Sequence, residues 1–128
     1  MKLNPDCIRD ILLSIEEDYI SDDWLRFDSK NYTAYKRLKK YEYDVVNYHL
    51  DYCNKNDLLF DYSRNMMLAH IVKDLSPKGH ELLENIRSDN NWNKVKERLF
   101  KAGSFTIQTI IQIAASVVTE AINKNLPI

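Results

Sequence analysis

Glycine and proline are scarce in this 128-residue chain, with 2 and 3 copies, which excludes a barrel or sandwich built on many tight turns. The two cysteines, Cys7 and Cys53, fall in separate helical patterns with no CxxC pair. That argues against a disulfide framework and for a reduced, cytoplasmic protein. The N-terminal stretch "MKLNPDCIRD" lacks an apolar h-region, so no signal peptide is expected. A long hydrophobic run is also missing. The longest candidate, "FTIQTIIQIAASVV", is broken by Gln108, Gln112 and several Thr and Ser, and reads as amphipathic rather than membrane-spanning. No membrane partner is therefore expected. There is no glycine-rich phosphate loop.

What remains is the composition of an ordinary globular protein, 45% apolar and 29% charged, with length for one domain. The net charge of −1 hides an uneven distribution. Residues 16–28 carry six carboxylates against Arg26 alone. "KNYTAYKRLKK" (Lys30 to Lys40) is basic, the stretch through Asp44, Asp51, Asp57 and Asp61 is acidic, and Lys94, Lys96, Arg98 and Lys101 form a later basic patch. No segment is basic enough to make nucleic acid the one explanation. Tyrosine, at 8 copies, is abundant.

Periodicity places the elements. Asn4 as N-cap and Pro5 in the first position open a helix whose Ile8, Ile11, Leu12 and Ile15 share a face. Residues 18–43 are less regular: "YISDDWLRF" holds a short strand, and "YTAYKRLKKY" is strand or helix, its Tyr and Thr favouring strand. Asp44 is the N-cap candidate for a helix with Val46, Leu50 and Cys53 inward, which should stop at Asn56-Asp57. Leu58 to Phe60 begins a strand, Ser63 to Asn65 turns, and "MMLAHIVKDL" returns, making a β-hairpin. Ser76 caps a further helix with Pro77 first, and Gly79 permits close backbone packing. Trp92, Val95 and Leu99 line the next helix, and a last helix with a broad apolar stripe runs from about Phe105 to Asn123.

This order, mainly helical with a hairpin, predicts an α+β fold: a winged helix over residues 1–88 with a C-terminal helical extension over 89–128. In winged helices the helix before the hairpin can enter a DNA groove, and the hairpin is the wing. "VNYHLDYCNKNDLL" and "LSPKGHELL" resemble recurring winged-helix phrases, with Asp57 where glycine is usual. Together with "MKLNPDCIRDILLSIEE" and "WNKVKERL" they resemble domain-of-unknown-function family 2513 of bacteria and their phages. The resemblance covers nearly the whole chain and is poorest between Tyr19 and Tyr43. It implies a bacterial or phage origin and a cytoplasmic accessory role. The family brings no catalytic residues to carry over.

Each chemical reading has a plainer rival. Ser76 and His80 could be nucleophile and base, but no orienting acid lies near and capping explains Ser, Pro and Glu together. His49 and Cys53 have metal-ligand spacing, yet two ligands are no site. His70 reads as a half-buried strand residue, and Glu16-Glu17 as a solvated helix end. No enzyme activity, metal or cofactor is expected. Two binding hypotheses stand. A protein partner would use the aromatic block, with Trp24, Phe27, Tyr32, Tyr35 and Arg37 as contacts. DNA would be met by Lys36, Arg37, Lys39, Lys40, Asn47, Tyr48 and Arg64, with Tyr48 or His49 on a phosphate. The carboxylates of Asp44 and Asp51 on the presumptive recognition helix oppose DNA and put the protein partner ahead. The stripe over residues 105–123 either packs back on the domain or pairs with a second copy in a homodimer.

Overall fold

The computed structural model describes residues 1–125. Helix α1 (Pro5–Asp18) starts as its sequence directs: the Asn4 side chain accepts the Cys7 N–H, and Pro5 occupies the first turn. Its face of Cys7, Ile8, Ile11, Leu12 and Ile15 is wholly buried. A short strand β1 (Leu25–Phe27) follows.

The basic stretch after it is not the strand its tyrosines favoured. It is a 3-10 turn at Tyr32–Ala34 followed by consecutive turns up to Tyr41. The cause is local. Asp28 Oδ1 accepts the N–H groups of Lys30 (2.9 Å) and Asn31 (2.8 Å), while Asn31 Oδ1 accepts that of Asp28 (2.9 Å). These bonds satisfy the backbone without a neighbouring strand. Leu38 is the one fully buried side chain between Asp28 and Glu42. Further on, Asp10 of α1, itself nearly buried, accepts from the Tyr41 hydroxyl (2.6 Å) and pairs with Lys40 (3.0 Å), tying the segment to α1.

Helix α2 (Tyr43–Lys55) has Glu42, not Asp44, at its N-cap; Asp44 lies in the first turn, where the helix dipole favours a carboxylate. Val46, His49, Leu50 and Cys53 face inward. The helix ends where expected, with Asn56 as C-cap and Asp57 in the left-handed region (φ 61°).

Strands β2 (Leu59–Arg64) and β3 (His70–Leu75) form the hairpin, and β1 pairs antiparallel with β3 to complete a three-stranded sheet of order β1-β3-β2. Leu59 is opposite Leu75 and Arg64 opposite His70. Strand β2 thus runs through Ser63 and Arg64, and the turn lies at residues 65–69 rather than 63–65. α1 packs on both α2 and β3.

Helix α3 (Pro77–Ile86) opens at Ser76, whose Oγ accepts the Gly79 N–H (3.0 Å). Helix α4 (Asp89–Ala102) is capped by Ser88 and closed by Gly103 at φ 68°. Helix α5 (Ile107–Asn125) starts two residues later than expected, because the Thr106 hydroxyl accepts the Thr109 N–H (3.1 Å). The chain divides into two compact units, Met1–His80 and Glu81–Ile128. Within the second, α4 and α5 pack together and Arg98 donates twice to Glu120. The result is an α+β fold, mainly helical. Among the described residues no helix is long and apolar enough to cross a membrane.

Candidate functional site

The hairpin tip is built by one side chain. Asn65 Oδ1 accepts the N–H groups of Met67 (2.9 Å) and Ala69 (3.0 Å), and the Asn65 carbonyl accepts from Leu68 (2.9 Å). Arg64 reaches across the turn, donating from Nη2 (2.5 Å) and Nε (3.2 Å) to the Leu68 carbonyl. Leu68 is held at φ 62°, a conformation that costs a residue other than glycine about 1–2 kcal/mol. This tightly bonded turn presents three apolar side chains to solvent, Met66, Met67 and Leu68, at 100%, 76% and 66% exposure.

A buried polar chain anchors the tip to α2. His70 is completely buried, not half-buried as its strand position suggested. Its Nε2 is 2.7 Å from the Asn47 amide, and its Nδ1 2.7 Å from the Tyr62 hydroxyl. Tyr62 donates to Asp51 Oδ1 (2.6 Å), and Asp51 Oδ2 pairs with Arg64 (3.3 Å). Burial first, and then the Arg64 charge, push His70 down to about 4, against the pull of Asp51. With the Asn47 Oδ1 against Nε2, a neutral ring carries its proton on Nε2 and donates it to Asn47, leaving Nδ1 against the Tyr62 hydroxyl, which lies between His70 and Asp51. Burial and the hydrogen bond to Asp51 push the Tyr62 hydroxyl up, which keeps it a donor.

Between the tip and the start of α2 lies a cleft of about 270 Å³, lined by Asp28, Ser29, Tyr43, Asn47, Arg64, Met67 and Leu68. Further along α2, Tyr48 and Tyr52 stack with ring centroids 6.3 Å apart and, with Asp51 and Lys55, border a smaller hollow of about 120 Å³.

The aromatic block is largely committed elsewhere. Phe27 is removed from the protein-binding set: it is completely buried and stacks on Tyr35 (4.4 Å), because β1 turns it into the core. Tyr35 donates to the Arg26 carbonyl (3.0 Å) and Tyr32 to that of Tyr41 (2.9 Å). Trp24 stays half exposed, but its Nε1–H bonds Asp61 (3.1 Å) and its ring lies under Lys73 (4.9 Å). Lys73 in turn donates to the carbonyls of Ile20, Ser21 and Asp23.

The basic set fares similarly. Arg37 is bidentate on Glu17, and this hydrogen bonding holds the Glu17 carboxyl below its usual range. Lys40 serves Asp10, Arg64 serves Asp51, and Asn47 serves His70. Lys36, Lys39 and Tyr48 are exposed. His49 cannot meet a phosphate: it is buried, its Nδ1 donates to the Val45 carbonyl (2.7 Å) and its Nε2 accepts the Asn4 N–H (2.8 Å). Both ring nitrogens are occupied, which also rules it out as a metal ligand in this fold. Desolvation lowers its pKa, in keeping with a neutral ring. Among the described residues no group of three or more His, Cys, Asp or Glu could hold a metal. The residues that sequence reasoning missed are Met66, Met67, Leu68 and Tyr62, while Asp51, read as a carboxylate opposing DNA, also holds Tyr62 and Arg64. A signal was present in Asn65 directly before an apolar triplet, since Asn nucleates turns.

The chain is thus a mainly helical α+β protein whose three-stranded sheet carries an apolar-tipped hairpin. Residues 2–105 match the family described as "Hypothetical protein (DUF2513)", and the chain belongs to that family. A protein of Haemophilus influenzae described as uncharacterized is 30% identical over 129 residues, covering 94% of this chain and 98% of its own length. No solved structure matches.

Proposed function

We propose that this is a non-enzymatic, cytoplasmic winged-helix accessory protein, bacterial or phage-borne, that works by binding a protein partner through its hairpin tip. The winged-helix reading is supported by the order α1-β1-α2-β2-β3 and the sheet order β1-β3-β2, with turns where a further helix would stand. In that reading β2-β3 is the wing and α2 the recognition helix.

The single observation that carries the protein partner is the tip itself. Met66, Met67 and Leu68 are displayed by a turn in which a strained leucine is held by Asn65 and Arg64. Strain kept in an exposed apolar residue points to use at that residue. Methionine is adaptable and common at binding surfaces. The DNA reading is weakened because Arg37, Lys40 and Arg64 are already in ion pairs, with Asp44 and Asp51 on the helix that would face phosphates.

The test is a photo-crosslinking residue at position 67 in the cell that carries the protein, with position 94 as a control, beside a titration into mixed-sequence duplex DNA. A discrete protein adduct at position 67 alone, with no salt-dependent DNA binding, is the expected result. DNA binding that collapses between low and moderate salt, with no adduct, would overturn it.

A further inference from the structure

A cavity of about 330 Å³ lies between the C-terminal end of α1 and the turns that follow β1, lined by Ser14, Glu17, Asp18, Ala34, Lys36 and Arg37. It shares no residue with the hairpin tip. Ser14, Glu17 and Asp18 stand at i, i+3 and i+4, so a single helix face supplies one wall. The bidentate Arg37–Glu17 pair, at 2.6–3.1 Å, fastens the opposite wall to it. Several groups of this cavity are left unanswered. Ser14 is 2% exposed, and its hydroxyl is buried with no hydrogen-bond partner, which is uncommon enough to call for a reason. Asp18 and Lys36 line the same cavity with opposite charges, yet among the described residues neither side chain has a hydrogen-bond or ion-pair partner. The last turn of α1 carries no basic residue, although the helix dipole favours a cation there.

These demands select a ligand. An anion alone would meet Lys36 but face Asp18 and the carbonyl end of α1. A cation alone would meet Asp18 but face Lys36. A molecule carrying both charges answers both, and a polar group of its own can bond the Ser14 hydroxyl. The volume, at the lower end of the roughly 300–1,000 Å³ of small-molecule sites, keeps that molecule compact. Ala34 brings the lining its one purely hydrocarbon side chain, so a bulky apolar substituent finds no pocket. We propose that this cavity binds a free α-amino acid with a small polar side chain, its ammonium on Asp18, its carboxylate on Lys36 and its side chain toward Ser14. The site stands independently of the reading of the tip as a protein-binding surface.

The experiment titrates the full chain, labelled for NMR, with L-serine, glycine, acetate and methylammonium. L-Serine is expected to shift the amides of Ser14, Asp18 and Lys36 and to approach saturation by about 10 mM. Glycine, which lacks the hydroxyl, should bind more weakly, and acetate and methylammonium, each with one of the two charges, should not saturate. Asp18→Asn and Lys36→Gln should each weaken L-serine about two- to fivefold, the range of an exposed ion pair. Neither change removes an internal bond, so the fold is retained. Ser14→Ala should weaken L-serine about fivefold while the urea midpoint stays level or rises, because the lost hydroxyl bonds nothing within the chain. A lowered midpoint with unchanged affinity would make Ser14 a structural residue and overturn the proposal. Glycine, acetate or methylammonium matching L-serine overturns it as well, as does unchanged affinity in Asp18→Asn and Lys36→Gln. So does the absence of any saturable shift with L-serine.

Discussion

Gly79 lies against Leu58 so closely that a Cβ on it would come within 2.2 Å of the Leu58 carbonyl oxygen. That oxygen cannot move aside freely, because it accepts the Ser76 N–H (3.0 Å), and the Ser76 hydroxyl donates to the Asp57 carbonyl (2.5 Å). The end of α2 and the start of α3 are thereby joined backbone to backbone. On an open helix, alanine would gain up to about 1 kcal/mol over glycine. Here Gly79→Ala should lose about 2–3 kcal/mol, read from the urea midpoint. A neutral or stabilising result would mean that the two backbones separate readily.

The His70 chain gives the fold a pH dependence of definite sign. In the unfolded chain this imidazole titrates near 6.5, and in the fold near 4. The unfolded state therefore binds the extra proton first, so this contribution is whole above about pH 6.5 and is lost as pH falls toward 4. The slope approaches about 1.4 kcal/mol per pH unit within that window. His70→Gln should flatten it, and the His70 imidazole signals should report a neutral ring at pH 6. A ring already charged at pH 6 would contradict the assignment.

Lys73 secures the loop between α1 and β1 by three carbonyls at 2.7–3.1 Å and by the rings of Trp24 and Tyr19. Lys73→Met keeps the stem and removes the charge. It should cost about 1–2 kcal/mol and raise amide exchange across residues 19–24, with β2 and β3 unaffected. Uniform exchange throughout the sheet would show that Lys73 supports the whole fold instead.

The parts legible in the sequence are those where a residue type answers a local backbone need. Asn4 with Pro5, Ser76 with Pro77, the Asn56-Asp57 stop and Gly79 were all readable in this way, as were the buried stripes of α1, α2 and α4. The segment 28–42 was not, because Asp28 and Asn31 fold it by side-chain bonds that no periodicity registers. The hairpin tip was misread for a related reason: apolar Met66, Met67 and Leu68 imitate a strand, and Asn65 makes them a turn. Phe27 looked like an interface anchor because aromatic type says nothing of which face of a three-residue strand is inward. The His70 network joins residues up to 23 positions apart, a proximity that only the fold creates.

Leu68 allows stability and binding to be separated. At φ 62° its side chain strains the backbone, and glycine would relieve that strain while adding freedom to the unfolded chain. The two effects nearly offset, so Leu68→Gly should match or exceed the parent's stability by up to about 1 kcal/mol. The same change removes one of the apolar residues lining the cleft, so the position-67 adduct should weaken severalfold. Leu68→Ala keeps the strain, loses the contact and should be worse on both counts. If instead Leu68→Gly binds as well as the parent, the strained leucine serves the turn and not the partner, and the surface to pursue would be the Tyr48–Tyr52 face of α2.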